Sequence, residues 1–171
     1  MDTNLLIGNG IMEKRQLNID VEARAARARE AFEQGYNCSQ AVVVAYADVL
    51  GQDAEVLASL VQPLGGGMGR LREVCGAVSG MFMVSSVAYQ GAPTTDRDVR
   101  TRIYGGVQKL AERYRGECGS IVCRELLGLK QQSDAPVPEE RTPEYYKRRP
   151  CSEYVALAAR MVGEYLNEAQ G

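Results

Sequence analysis

Residues 37–51 read NCSQAVVVAYADVLG, and the fold class turns on whether they form a strand or a helix. The inner run AVVVAY has the β-branched content of a strand. Its frame argues otherwise. Asn37 and Gln40 have the spacing of a capping box, in which two side chains satisfy backbone N–H groups left free at a helix start. Gly51 stands where a helix ends, and the whole stretch is longer than an ordinary strand. It is read as helix. Being apolar nearly all round, it belongs at the centre of a bundle.

Working outward, the same period recurs. Upstream, DVEARAARAREAFEQG puts Val21, Ala25, Ala28 and Phe32 at helical spacing and stops at Gly35. Downstream, Asp53 caps a short helix, Ala54 to Val61, which Pro63 and the following glycines end. A fourth helix is expected from Val74 to Tyr89. A fifth opens at Thr95, with Val99, Ile103, Val107, Leu110 and Tyr114 on one face. Gly105 and Gly106 inside it cost about 1 kcal/mol each against alanine, which a close helix crossing would justify. Ser120 to Leu127 gives a sixth helix, and Cys151 to Asn167 a last one with Val155, Ala158, Val162 and Leu166 inward. Residues 130–150 carry Pro136, Pro138, Pro143 and Pro150 and are read as a loop. Residues 1–17 are read as a loose N-terminal segment before one domain over 18–171. The expectation is an all-α, single-domain bundle of about six to seven helices, with no internal repeat.

Composition removes several functions. The net charge is −2 and the basic residues are scattered, so no nucleic-acid footprint is present. No run reaches the roughly 18–20 apolar residues of a membrane helix, and LLIGNGIM near the start lacks the flanks of a signal peptide. A cytoplasmic protein without membrane insertion is expected. The chain has no histidine, which excludes Ser-His-Asp and Cys-His mechanisms, mixed cysteine–histidine zinc sites and a CxxCH haem site. Tryptophan is also absent, which speaks against a base-stacking surface.

Five cysteines remain: Cys38, Cys75, Cys118, Cys123 and Cys151. Four of them fall at expected helix starts. Cys38 follows the Asn37 cap, Cys75 opens the fourth helix, Cys123 sits in the first turn of the sixth, and Cys151 follows Pro150. Free N–H groups there stabilise an anion and favour thiolate, the form that attacks and binds metal. Cys38 and Cys151 also lie on the apolar stripes of their helices. A lone buried cysteine is ordinarily a small hydrophobe, but four at helix starts point to one joint site. Cys118 lies in the connection before the sixth helix and is read as an incidental loop thiol.

The stretch GGGMGRLREVCGAVSG, residues 65–80, clears side chains from around Cys75. It lacks the G-K-[ST] ending of a P-loop, and Arg70 stands where a dinucleotide fingerprint needs its last glycine. No nucleotide is expected. The glycines, Gly67, Gly69, Gly76 and Gly80 in particular, are read as letting the backbone, or a bound group, come close to the sulfur.

GYNCSQAV around Cys38, PLGGGMGRLREVCGAVSG around Cys75, CRELLG at Cys123 and CSEYVALAA at Cys151 together resemble the redox-active family named for a C…GCAxxG…C…C pattern. The resemblance runs from about residue 20 to residue 168. The central block here reads CGAVSG, so cysteine precedes glycine, and Cys118 falls outside the four-cysteine pattern. The resemblance implies a helical, cytosolic protein, often encoded near membrane-transporter genes. It also implies similarity to part of the split-Soret cytochromes, which carry an iron–sulfur centre.

Three readings of the thiols follow. In the first, Cys38, Cys75, Cys123 and Cys151 hold an iron–sulfur cluster for electron transfer or redox sensing, with Gly76 and Gly80 leaving room for sulfide. Arg70, Arg72, Arg124, Arg148 and Arg149 would offset its negative charge. In the second, two of the thiols cycle as a metal-free dithiol and disulfide. In the third, the four form a structural zinc site. No haem is expected. The redox partner is unidentified, a functional link to a membrane transporter follows from the resemblance, and a homodimer is an assembly the reading allows.

Overall fold

Asp20 caps α1 (Val21–Glu33) by accepting the Ala23 N–H at 3.0 Å. The computed structural model describes residues 17–169 except residue 132, and the sequence expectation for residues 1–17 falls, Leu17 apart, outside them. After Gly35 the chain turns into α2 (Cys38–Val44), whose capping box is complete. The Asn37 side chain accepts from Ser39 and Gln40 N–H, and the Gln40 side chain accepts from Asn37 N–H. Among the described residues there are nine helices, six of them seven residues or longer, and no strand. The fold is all-α.

α2 sits at the centre, against α1, α4 (Ala54–Val61), α5 (Gly76–Ser85) and α9 (Cys151–Glu168). Val42, Val43, Val78, Met81, Val84, Val155 and Val162 are fully buried there. Each such side chain contributes about 1.5–3 kcal/mol relative to exposure. α5 crosses α2 at Gly80, where a Cβ would lie 2.9 Å from the Ser39 carbonyl oxygen and 3.0 Å from Val42 Cβ. The glycine is what lets the two backbones meet. α1 and α9 are stitched at their far ends by a reciprocal pair, Ile19 N–H to Asn167 Oδ1 and Asn167 Nδ2 to Ile19 O, both at 3.0 Å.

Several boundaries differ from the sequence reading. The segment 37–51 is two helices, α2 and α3 (Ala47–Leu50), because Arg24 donates to the Ala45 carbonyl at 2.6 Å and removes it from the helical ladder. Tyr46 at the break turns its hydroxyl to the Ala159 carbonyl, 2.7 Å away. The fourth expected helix begins at Gly76, not Val74, and passes into a 3₁₀ turn at Ser86–Tyr89. Val74 instead pairs with Val122 in an isolated antiparallel bridge. That bridge also shortens the sixth expected helix to α7 (Cys123–Leu126), since Val122 is held extended. The cap of α6 (Arg97–Cys118) is Asp96 rather than Thr95, and Cys118 is the last residue of that helix rather than part of a loop. Within α6 only Gly106 meets a crossing, under the Tyr165 and Tyr89 hydroxyls; the space at Gly105 is open. Residues 130–150, read as loop, contain α8 (Pro143–Arg148), started by Thr142 with Pro143 in the first turn.

Candidate thiol site

The Val74–Val122 bridge brings two of the thiols together. Cys75 N–H donates to Ile121 O at 2.8 Å, and Cys123 N–H donates to Glu73 O at 2.6 Å. Since side chains alternate along extended chain, Cys75 and Cys123 lie on the same side of the bridge, opposite Val74 and Val122. The other two come from the packed core. Cys38 is the first residue of α2 and Cys151 the first of α9, and the two thiols are near enough to perturb each other's ionisation.

All four line one cavity of about 270 Å³. Its floor is the turn Gly65–Met68, whose Gly66 and Gly67 have φ of 67° and 71°, the left-handed region that favours glycine. A Cβ on Gly67 would lie 2.6 Å from Cys123 Cβ, and one on Gly76 would lie 3.1 Å from Cys38 Cβ. Gly67, Gly69 and Gly76 face the cavity. Gly80 does not; it lies one turn further along α5, at the crossing with α2. Cys118 is also elsewhere, at the end of α6.

The far wall is a strap, residues 134–149, which contributes Pro136, Pro138, Glu139, Arg141, Tyr145 and Arg149. Asp134 N–H donates to Arg70 O at 3.0 Å, and Arg70 Nε donates to Ala135 O at 2.6 Å. Arg149 pairs with Glu139. The Arg141 guanidinium lies 4.4 Å from the Phe32 ring centroid and 4.9 Å from that of Tyr145. Of the arginines expected near the sulfurs, Arg70, Arg72 and Arg149 line the cavity. Arg124 instead pairs with Glu73, and neither it nor Arg148 is in the wall. Arg141 was not foreseen. Its sequence signal is Tyr145, four residues on.

The helix starts do not make every thiol acidic. Burial pushes Cys75 up to about 12, aided by the nearby Cys123, although the Ala77 and Val78 N–H groups of α5 pull the other way. Cys123 is also raised by burial, against the opposing pull of Arg72. The neighbouring Cys151 holds the proton on Cys38, which is raised well above the ordinary thiol range. Cys151 is the lowered member, first because of the Cys38 thiol beside it and then because Arg149, Arg141 and Arg72 face it. Desolvation thus outweighs the helix end at Cys75 and the Arg72 charge at Cys123, whereas at Cys38 the neighbouring Cys151 is the first cause. The cavity holds one thiolate-prone sulfur with a thiol beside it.

Among the described residues no group of three or more cysteine, histidine or acidic side chains is gathered so as to hold a single metal ion. No helix of the described residues is long and apolar enough to cross a membrane. A family model described as Putative redox-active protein (C_GCAxxG_C_C) matches residues 36–165, a span that contains all five cysteines. Comparison with curated proteins and comparison with solved structures each give no match.

Proposed function

Because the chain belongs to the redox-active C_GCAxxG_C_C family, we propose that Cys38, Cys75, Cys123 and Cys151 act as one redox site whose thiolates hold an iron–sulfur cluster, for electron transfer or redox sensing. The observation that carries this reading is a cavity where a packed core would have been simpler. Four sulfurs from four separate elements face a common space, and glycine keeps its floor free of side chains. Cysteine thiolates are the ordinary ligand set for such clusters. When bound, a cluster supplies one-electron transfer at a potential set by net charge, hydrogen bonding to sulfur and burial.

The chain's own groups do the rest. Cys75 and Cys123 are fixed by the bridge, and Cys38 and Cys151 by the starts of α2 and α9. Arg72, Arg141 and Arg149 offset negative charge at the sulfurs, Cys151 first among them. The strap and the glycine turn limit water. The partner on this reading is a protein or small-molecule electron carrier in the cytoplasm, in functional association with a transporter.

A second reading rests on a specific contact. Cys38 and Cys151 line the same cavity as neighbouring thiols, with the anion favoured on Cys151. The Cys151 thiolate would attack a disulfide acceptor, breaking its S–S bond and releasing one acceptor sulfur as thiolate. Cys38, giving up its proton to that thiolate, would then displace the second acceptor sulfur from the mixed disulfide and close the Cys38–Cys151 bond, two electrons passing to the acceptor. Anaerobic purification with iron and acid-labile sulfide analysis separates the two readings. Iron and sulfide, with visible absorption lost in Cys75→Ser and Cys151→Ser but kept in Cys118→Ser, is the expected result. A colourless protein that cycles a Cys38–Cys151 disulfide would replace the first reading by the second.

A further inference from the structure

Arg72 is 3% exposed, and its backbone lies at φ 59°, a conformation that costs a non-glycine residue about 1–2 kcal/mol. Burying a guanidinium is itself expensive unless it is paired and hydrogen-bonded. Arg72 is engaged on two sides, although its buried Nη2 has an ion pair and no hydrogen bond. Nε donates to Asp134 Oδ2 at 2.7 Å and Nη2 forms an ion pair with the same oxygen, while Nη1 reaches Cys123 Sγ at 3.6 Å. The other arginines of the wall have further partners. Arg70 shares the Asp134 carboxylate, its Nη2 lying 3.3 Å from the same Oδ2, and its Nε donates to Ala135 O; Arg149 pairs with Glu139, and Arg141 stacks on aromatic rings. The glycine turn makes room for Arg72, since a Cβ on Gly67 would lie 3.0 Å from its Cα.

We propose that Arg72 sets the reduction potential of the thiol site, and that Asp134, reaching in from the strap, is the positioning residue that attenuates it. The proposal rests on the redox reading above. Reduction adds negative charge at the sulfurs in either form of that reading: one electron enters a thiolate-held cluster, or two electrons and one proton reopen a Cys38–Cys151 disulfide as a thiol and a thiolate. A guanidinium N–H aimed at sulfur stabilises the reduced state and raises the potential. The Asp134 carboxylate, on the other side of the same guanidinium, offsets part of that charge. The strap therefore belongs to the electrostatics of the site as well as to its enclosure.

The test is an equilibrium redox titration of the anaerobically purified full-length protein, with dithionite as reductant and soluble mediators. Arg72→Gln is expected to lower the reduced-to-oxidised ratio at a fixed poise at least tenfold, a potential shift of about 59 mV for one electron or about 30 mV for two. Arg72→Lys keeps the charge but not the fork, and recovers part of that shift. Asp134→Asn moves the potential the opposite way, upward, which a merely structural role would not produce. Arg124→Gln removes the same charge from a residue outside the wall and has a smaller effect. The proposal is overturned if Arg72→Gln and Asp134→Asn move the potential in the same direction, if neither moves it, or if Arg124→Gln matches Arg72→Gln. Should Arg72→Gln fail to fold, Arg72→Lys carries the test with a smaller downward shift. A wild-type protein with no reversible couple sinks the redox reading and this proposal with it. A wild-type couple left unmoved by the variants sinks this proposal alone.

Discussion

The cavity has two walls built by different physics. The inner wall is α2, α5 and α9, with Gly80 pressed against Ser39 and Val42 and Met81 wholly buried. The outer wall is the strap, held by pairs such as Arg149–Glu139 and by Arg141 stacked on Phe32. Close-packed apolar contacts resist small changes in shape, whereas partly exposed ion pairs are weak and screened by salt. Three of the site's cysteines are carried by or abut the inner wall's helices, and Cys123 enters through the bridge. Rigidity is thus placed where the sulfurs are anchored, and the weaker links where the cavity is closed.

That contrast can be broken most sharply at Met81. Met81→Ala should destabilise the protein by about 2–5 kcal/mol in chemical denaturation. A cost below 1 kcal/mol would mean that the inner wall is loosely packed. Alkali should act next. In reduced, metal-free protein Cys75 is held near 12 while an unfolded cysteine titrates near 8.5, so above about pH 8.5 the unfolded state binds fewer protons than the native one. Stability should therefore fall as pH rises toward 12, by a few kcal/mol at most, and Cys75→Ala should flatten that slope; an equal slope in both proteins would rule out burial of Cys75 as its cause. Gly80→Ala comes third. It gains about 1 kcal/mol of helix propensity but overpacks the crossing by about 1–3 kcal/mol, so melting should show a net loss. A gain in stability would show that α2 and α5 can move apart. The smallest effect belongs to the strap. Glu139→Gln should cost less than about 1 kcal/mol, and the difference from wild type should vanish in high salt. A loss as large as that of Met81→Ala would erase the distinction between the walls.

The helical class was legible because local signals agree with the fold. Asn37 and Gln40 form the capping box that their spacing predicts, and Asp53 caps the short helix it was expected to start. The break at Ala45 was not legible, since it depends on Arg24, a residue on another helix. Val74 and Val122 likewise read as parts of helices until each finds the other, because an isolated bridge leaves no alternating pattern in either segment. In the site, placing four thiols at helix starts was within reach of the sequence, and so was the clearing of space by Gly67 and Gly76. Their acidities were not. Capping position suggests lowered values, but desolvation is a property of the finished cavity, and at Cys75 it wins over two backbone N–H groups. Asp134 and Arg141 lie in a stretch whose prolines mark it only as irregular, so their facing of Arg72 and Phe32 could be learned only in three dimensions.

The pairing of α1 with α9 carries a consequence for synthesis. Ile19 is bonded to Asn167, and Arg29 reaches Glu153, so the first helix completes its packing only when the last has left the ribosome. Until then Cys38, Cys75 and Cys123 are on a chain that lacks both Cys151 and the helix that buries them. Domains whose contacts span the whole length close late and slowly. The nascent protein thus passes through a stage in which three thiols of the site are open to oxidants before the fourth arrives, and any group loaded into the cavity must be inserted after α9 has emerged.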